Sequence, residues 1–310
     1  MSHFSISDQA TLDILALGCL AVDDLLLSPI WPEPDTKTRL IKRDRQGGGL
    51  TGNAMVAASR FGARVGYGGS LGVDSDSQFL RELYLGEGIS LEHCRSDPSF
   101  IPIRSTIVID KSKNTRTIWF DLPGKLGALE TWPPEEAIRS SKVLFVDHYG
   151  IEGMIRAAKI ARSAGVEVVA DLERDEHPRF HELLPLVDHL ILSRKFATKQ
   201  TGKQTAPEAV EVLAGIGAKV TIVTDGEEGA WIVAGGNCFP FPAFPVQVVD
   251  STGCGDAFHG VYAACLAARL PLLDRLKYAS ASAALKALHI GAQKGLPTRG
   301  EIDSFLAQKI

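Results

Sequence analysis

Between Val248 and Gly260 the chain reads V-V-D-S-T-G-C-G-D-A-F-H-G, with Gly253, Cys254 and Gly255 set between Asp250 and Asp256 where an apolar β-branched pair gives way to a helical pattern. Backbone N–H groups of residues 253–255 can wrap about one point, and the positive end of the following helix adds to them, which makes a nest for an anion. Asp256 conflicts with that use, because a carboxylate beside such a nest repels the anion. The function must therefore need an acid and an anion hole side by side. Two further segments carry polar groups at expected strand ends. In G-C-L-A-V-D-D the opening strand delivers Asp23 or Asp24 to a sheet edge. In G-G-G-L-T-G-N, Gly47, Gly48 and Gly49 permit close backbone approach ahead of Asn53, which opens a helix. Carboxylates and amides fixed in this way suit hydroxyl recognition, since a buried polar site rejects an analogue lacking the hydroxyl. Asn53 has a second reading as a plain helix N-cap.

Other motifs do not hold in their context. A phosphate-binding P-loop is excluded, because the pairs Gly124-Lys125 and Gly202-Lys203 are followed by Leu126 and Gln204. The stretch from Gly66 has Leu71 where a dinucleotide fingerprint has its third glycine. The same stretch contains G-x-S-x-G over 68–72, so Ser70 is a candidate hydrolase nucleophile. A nucleophile elbow turns directly into a helix, however, and the helical pattern starts only near Ser75 or Ser77. His177 and His181 are four apart with Pro178 between them, the mark of a helix start and surface histidines rather than a metal-binding face.

These residues need a frame. Short β-rich runs alternate with helical patterns in both halves of the chain, which predicts βαβ units and a mostly parallel sheet covered on both faces. Two stretches break the rhythm. Residues 22–46 carry three prolines and a basic cluster, and residues 101–122 read as a hairpin around Lys111 to Asn114. Together they predict a small β-layer over the carboxyl ends of the main sheet, where ligands of open α/β sheets bind. Ala-rich helices are expected over 257–270 and 276–288. With 310 residues and a net charge of −4, the chain has no global attraction to nucleic acid or an anionic membrane, so a small molecule is the expected partner. No apolar run approaches the ~20 residues of a membrane span. The N-terminal M-S-H-F-S-I-S-D-Q-A-T-L-D has no basic stretch before its first apolar run, and the five scattered cysteines form no C-x-x-C. A soluble cytoplasmic protein without a disulfide framework or structural zinc is expected.

The stretch D-S-T-G-C-G-D resembles the signature D-T-x-G-A-G-D of the ribokinase-like, or PfkB-type, carbohydrate kinases, with Ser251 for Thr and Cys254 for Ala. Their amino-terminal signature, a Gly-Gly pair followed by Asn and later glycines, is matched by Gly48, Gly49, Asn53, Gly62 and Gly72. V-T-D-G-E-E-G-A, with Thr224, Gly226 and Gly229, is similar to their nucleotide loop. The likeness spans nearly the whole chain. It implies one domain over 1–310, a three-layer α/β/α sandwich with a mostly parallel central sheet and a discontinuous β-sheet lid at about 22–46 and 101–122. It also implies a chemistry that reconciles acid with nest. Asp256 would take the proton of an acceptor hydroxyl, and the amides of Gly253, Cys254 and Gly255 would hold the charge developing on the γ-phosphoryl of ATP. Cys254 as a nucleophile is the competing reading, though such a transfer needs no thiol. Thr224, Gly226, Gly229 and Ser251 would line the nucleotide, Mg²⁺ would ride with its phosphates, and a monovalent cation would sit near Asp250. Asp23, Gly48, Gly49, Asn53, Lys37 and Asp121 would contact the sugar beside Asp256. The chain departs from the family where N-x-x-E is usual, offering Ser193 and Phe196; Asp171 is then either a substitute acid near the metal or a structural residue. That loss, with F-H-G and A-A-L-K near the carboxyl end, is similar to the ketohexokinase and sulfofructose kinase branch.

A neutral ketose or pentose is the expected acceptor. Within the basic run Lys37, Arg39, Lys42, Arg43 and Arg45, an inward Lys37 would favour a phosphate- or sulfonate-bearing sugar, but Tyr149 stands where such a sugar would want another cation. The run otherwise reads as a solvated edge strand. Asp147 and His148 are further candidates for hydroxyl contacts. Rival readings are a nucleoside kinase, a non-catalytic sugar-binding protein and a hydrolase using Ser70. Pairing of lid edges would give a homodimer.

Overall fold

The structure, a computed structural model, describes residues 12–113 and 115–308. The N-terminal tail through Thr11 and Asn114 at the hairpin tip lie outside the described residues. The chain runs β1 (Ile14–Leu17), β2 (Ala21–Ser28), β3 (Lys42–Gly48), α1 (Leu50–Phe61), β4 (Val65–Tyr67), β5 (Ser70–Leu71), α2 (Ser75–Gly86), β6 (Arg95–Ser96), β7 (Ile103–Asp110) and β8 (Thr115–Asp121). It continues through α3 (Glu135–Arg139), β9 (Val143–Val146), α4 (Ile151–Ser163), β10 (Glu167–Asp171), α5 (Phe180–Leu183), β11 (His189–Ser193), α6 (Arg194–Thr201), α7 (Ala206–Ala214) and β12 (Val220–Thr224). The last elements are β13 (Ala230–Ala234), β14 (Asn237–Phe241), α8 (Cys254–Ala267), α9 (Leu272–Lys286) and α10 (Arg299–Ala307).

The main sheet has the order β14-β13-β12-β11-β10-β9-β1-β4, parallel from β12 to β4 and antiparallel in its last two pairs. Its parallel strands are apolar at nearly every position because both faces are covered. Along β1, Ile14 and Ala16 join one core with α1, α8 and α9, while Leu15 and Leu17 join a second core with α4, α6 and α7. Three layers result, as the repeating βα pattern predicts. Because the strands are parallel, their carboxyl ends share one edge, which collects Gly18, Asp147, Asp171, Ser193 and Thr224.

The stretches that break the βα rhythm form a separate four-stranded sheet, β3-β2-β7-β8. Residues 29–41 between β2 and β3 contain no strand. The edge strand β8 is exposed along its whole length, including Ile118, Trp119 and Phe120. Two helices differ from the expected ranges. α8 starts at Cys254 rather than Ala257, because Gly253 takes a left-handed conformation (φ 79) that turns the loop into the helix. It ends at Ala267 because Arg269 is also left-handed (φ 59), and Pro271 then starts α9 earlier than the apolar pattern suggested. Among the described residues no helix is long and apolar enough to cross a membrane.

Candidate active site

Asp256 lies in the first turn of α8 and is 9% exposed. Its Oδ2 accepts a hydrogen bond from Asn53 Nδ2 at 2.6 Å, a link between α8 and α1 across 203 positions of sequence. Close approach of the two helices permits it: a Cβ on Gly260 would overlap the Ala54 carbonyl. The N-cap reading of Asn53 is therefore corrected. Helix α1 already begins at Leu50 with Gly49 at its cap, and the Asn53 N–H is spent on the Gly49 carbonyl at 2.8 Å. The side chain is thereby free to face Asp256, and its Oδ1 is buried without a partner.

A second carboxylate, Asp171 at the end of β10, faces the same space, and its Oδ2 is buried without a hydrogen-bond partner. Burial pushes the proton affinity of both acids well up, and the charge of Asp171 raises Asp256 further while the Asn53 bond opposes. His259, on the same face of α8, stands 3.4 Å from Asp171 Oδ2, 2.8 Å from the Gly255 carbonyl and 3.0 Å from the Ile191 carbonyl. It ties α8 to β10 and β11. Asp147 has a different fate from Asp171, although both stand at strand ends. Its Oδ2 accepts from the Cys19 N–H at 2.7 Å and the Thr51 hydroxyl at 2.9 Å, and its Oδ1 accepts from the Tyr149 N–H at 2.8 Å. Fully buried, with its pKa pushed up to about 6 by burial, it staples β9 to β1 and α1 rather than meeting a sugar hydroxyl. His148 remains open. Its Nδ1 accepts from the Glu173 N–H at 3.3 Å, and its Nε2 is buried and unpartnered. Burial, helped by Arg174, lowers its pKa to about 4.

Asp250 organises the anion loop. Its Oδ1 accepts from the Thr252 N–H (2.9 Å) and hydroxyl (2.6 Å), and its Oδ2 accepts from the Gly291 N–H (2.9 Å). Burial alone would raise its pKa, but these bonds hold it below the usual carboxylate range. At the helix start the Cys254 N–H turns back to the Ser251 carbonyl at a long 3.3 Å, and the Ala257 N–H reaches Gly253. The N–H groups of Gly255 and Asp256, in the first helical turn, have no i−4 partner to take. Burial raises the Cys254 thiol to about 11, a direction that disfavours the thiolate a nucleophile needs. From the small sheet, Arg116 on β8 donates to Asp250 Oδ1 at 2.9 Å and Ser251 Oγ at 3.0 Å. Sequence reasoning missed Arg116, because only the hairpin register, Ile109 opposite Arg116, says where it points.

Among the residues expected to contact a sugar, Asp23 is buried against Gly48, and burial raises its pKa to about 6 against a hydrogen bond from Ser105. Asp24 points the other way, into a two-pronged pair with Arg45 at 3.1 Å. Arg45 also meets Asp76, which Arg104 holds at 2.6 Å. Much of the basic run is thus neutralised on an edge strand. Lys37 is exposed in the irregular 29–41 segment, and Asp121 is exposed at the end of β8; no hydrogen bond or ion pair among the described residues joins either to Asp256. Thr224 ends β12, and Gly226 and Gly229 frame the turn that follows, closed by the Asp225 N–H on the Gly229 carbonyl at 2.7 Å. Ser193, at the place of the missing N-x-x-E, caps α6 by accepting from the Phe196 N–H at 3.3 Å. Ser70 sits in a two-residue strand, its hydroxyl buried with no base bonded to it, which removes the nucleophile elbow. His177 is paired with Glu152, and no cluster of three or more metal-ligating side chains exists among the described residues.

A parallel α/β sheet that gathers acids and a helix start at its carboxyl edge, with a small separate sheet alongside, is the frame of an α/β protein that binds its ligand at that edge. Residues 15–299 match the model of the pfkB family carbohydrate kinases, and the chain belongs to that family, whose members are phosphotransferases with an alcohol acceptor. It is 26% identical over 300 residues to a ribokinase from Haemophilus influenzae, covering 94% of this chain and 98% of that protein. A nucleoside kinase from Methanothermobacter thermautotrophicus is 24% identical over 306 residues, covering 96% of each. The Arabidopsis thaliana ribokinase complexed with ribose and ATP matches with a TM-score of 0.82 and 22% identity, over 96% of this chain and 99% of that one. The ribokinase-like fold expected from the signatures is borne out. None of these relatives is a ketohexokinase or a sulfofructose kinase, so the family stands without that branch.

Proposed function

We propose that the protein transfers the γ-phosphoryl group of ATP to a hydroxyl of a neutral ketose or pentose. Asp256 removes the hydroxyl proton, and the open amides at the start of α8 hold the phosphoryl charge. The observation that carries this reading is the placement of Asp256: a buried acid with raised proton affinity, fixed by Asn53, in the first turn of α8, where N–H groups have no i−4 helical partner. An acid of raised affinity is the stronger base once ionised. The hydroxyl approaches from the side of Asn53 and Asp23, where Asn53 Oδ1 and His148 Nε2 are buried polar atoms without partners. Thr224, Gly226, Gly229 and Ser251 line the nucleotide in this reading, and Arg116 closes over the phosphates from β8. Asp171, whose Oδ2 is buried without a hydrogen-bond partner, is the residue that would face Mg²⁺, which would supply neutralisation of the phosphate charge.

The exposure of Lys37 and the pairing of its basic neighbours favour a neutral sugar over a phosphate- or sulfonate-bearing one. A nucleoside acceptor is the second reading, supported by the likeness to the nucleoside kinase. The unpaired edge of β8 with its exposed Ile118, Trp119 and Phe120 supports a homodimer joined through the small sheets. Acceptor-dependent ADP release, measured with ribose, fructose and adenosine, separates the acceptors. Asp256→Asn is expected to lower it by about 10²–10⁴-fold, the range of a general base. Turnover at the wild-type rate in that variant would remove Asp256 as the base.

A further inference from the structure

Lys286, the last residue of α9, is 0% exposed. Its Nζ donates to two main-chain carbonyls, Asp250 O and His289 O, each at 2.9 Å. A buried ammonium is strongly disfavoured unless its charge is met. The carbonyl dipoles meet part of it, and the charges of Asp250 and Asp256 act in the same direction, while Arg116 opposes; burial dominates and lowers its pKa from the ordinary lysine value. The two carbonyls belong to different loops, the anion loop that opens α8 and the loop that follows α9. Those loops are also tied by the Val249 and Asp250 N–H groups on Ala287 O (2.7 and 3.2 Å) and by the Gly291 N–H on Asp250 Oδ2. Main-chain carbonyl oxygens converging on one positive charge are the coordination set of a dehydrated monovalent ion. The lysine tip therefore lies beside Asp250, where the family resemblance implied a monovalent cation.

We propose that the Lys286 ammonium is a built-in replacement for a monovalent cation, so that the enzyme needs no such activator. Resting on the reading of the α8 start as the phosphoryl site, Lys286 is then a positioning residue. It draws the Asp250 carbonyl inward, leaves the Asp250 carboxylate to hold Thr252, and so sets the turn at Gly253 that presents the amides. Its alkyl chain packs against Gly295, where an added Cβ would stand 3.1 Å from Lys286 Cδ.

The test compares the wild-type protein with Lys286→Ala in KCl, NH₄Cl and tetramethylammonium chloride at equal ionic strength. Wild-type turnover is expected to agree across the three salts within about twofold, whereas activation of about tenfold or more by K⁺ overturns the proposal. Lys286→Ala is expected to lose about tenfold or more in kcat, as loosened positioning does, and to regain much of it in K⁺ or NH₄⁺ but not in tetramethylammonium. A variant that folds and shows no such selectivity also overturns it. Melting temperature supplies a readout without turnover: K⁺ is expected to raise that of Lys286→Ala over the tetramethylammonium control and to leave the wild type unmoved. Should the alanine variant not fold, Lys286→Gln keeps the bulk and a donor without the charge. It is expected to lose activity with no rescue by K⁺, and wild-type activity in it would sink the idea. Absence of ADP release from the wild type with any acceptor would refute the phosphotransfer reading instead, and the melting comparison would still report on the cation site.

Discussion

The Asn53–Asp256 hydrogen bond gives the sharpest test of the proposed base. It is 2.6 Å long between residues that are 4% and 9% exposed, so water cannot readily replace it. A hydrogen bond to an ionised partner contributes about 1.5–3 kcal/mol, and it favours only the ionised form of Asp256. Removing it by Asn53→Ala therefore raises the proton affinity of Asp256 by about 1–2 pH units. Burial and the charges of Asp171 and Glu173 push in the same direction, and only the smaller influence of His259 is left to oppose them. The base works only when unprotonated, which fixes the sign: the acid limb of kcat/KM against pH moves upward by that amount. At a pH on the shifted limb the rate falls about 10–100-fold and recovers as pH rises. ADP release measured from about pH 5 to 10 on wild type and variant reads the shift, with melting curves establishing that both are folded. Asn53 Oδ1 also faces the sugar side, so KM can change independently; the position of the limb isolates the proton. An acid limb that stays at its wild-type position would refute Asp256 as the group that titrates.

Gly260→Val puts side-chain atoms into the Ala54 carbonyl, a backbone atom that cannot swing aside. Helices α1 and α8 must part, which costs about 1–3 kcal/mol in urea unfolding and weakens the Asn53–Asp256 bond; wild-type stability together with wild-type turnover would contradict this packing. Glu167 has its pKa lowered to about 2, chiefly by the hydrogen bond with His189 and then by Lys219, with burial opposing. Its folded affinity for a proton is below its unfolded one, so its contribution to stability is full above about pH 4.5 and is lost as pH falls toward about 2. Glu167→Gln should accordingly be less stable at neutral pH by about 1–2 kcal/mol, a figure reduced for its solvent exposure, and the gap to wild type should close in acid. A gap that persists at the lowest pH would mean that packing, not charge, is lost.

The parallel sheet and the anion loop were legible because both depend on local pattern: apolar runs between helical periods for the first, and glycines at a strand-to-helix corner for the second. What was not legible depends on register between distant segments. Asn53 looked like a helix cap because its link to Asp256 exists only when Gly260 lets α8 lie against α1. Asp147 and Asp171 give the same sign in sequence, an acid ending an apolar strand, yet the first is consumed by Cys19, Thr51 and Tyr149 and the second keeps an unpartnered oxygen. The difference lies in which donors the neighbouring loops bring. Lys286 drew no reading of its own, because a basic residue at the end of an Ala-rich helix is what the helix dipole favours anyway. Its burial appears only once the loops of Asp250 and His289 fold over it.

The apparent contradiction between an acid and an anion nest at one corner is resolved by direction and by protonation. The amides at the start of α8 point out along the helix axis, whereas the Asp256 side chain leaves the helix sideways toward Asn53 on α1. The loop side holds two cations around Asp250, Arg116 on its carboxylate and Lys286 on its main-chain carbonyl. The acid side holds Asp256, Asp171 and Glu173, which would repel a polyphosphate if all were ionised. Burial and mutual repulsion push Asp256 and Asp171 up together, and two acids coupled in this way shed their second proton only with difficulty. Burial and mutual repulsion thus work against full ionisation of this cluster. In the proposed transfer, cations brought in with a nucleotide would lower the affinity of both acids for protons, so the arrival of the phosphoryl donor would itself favour the ionised Asp256 that this reading requires.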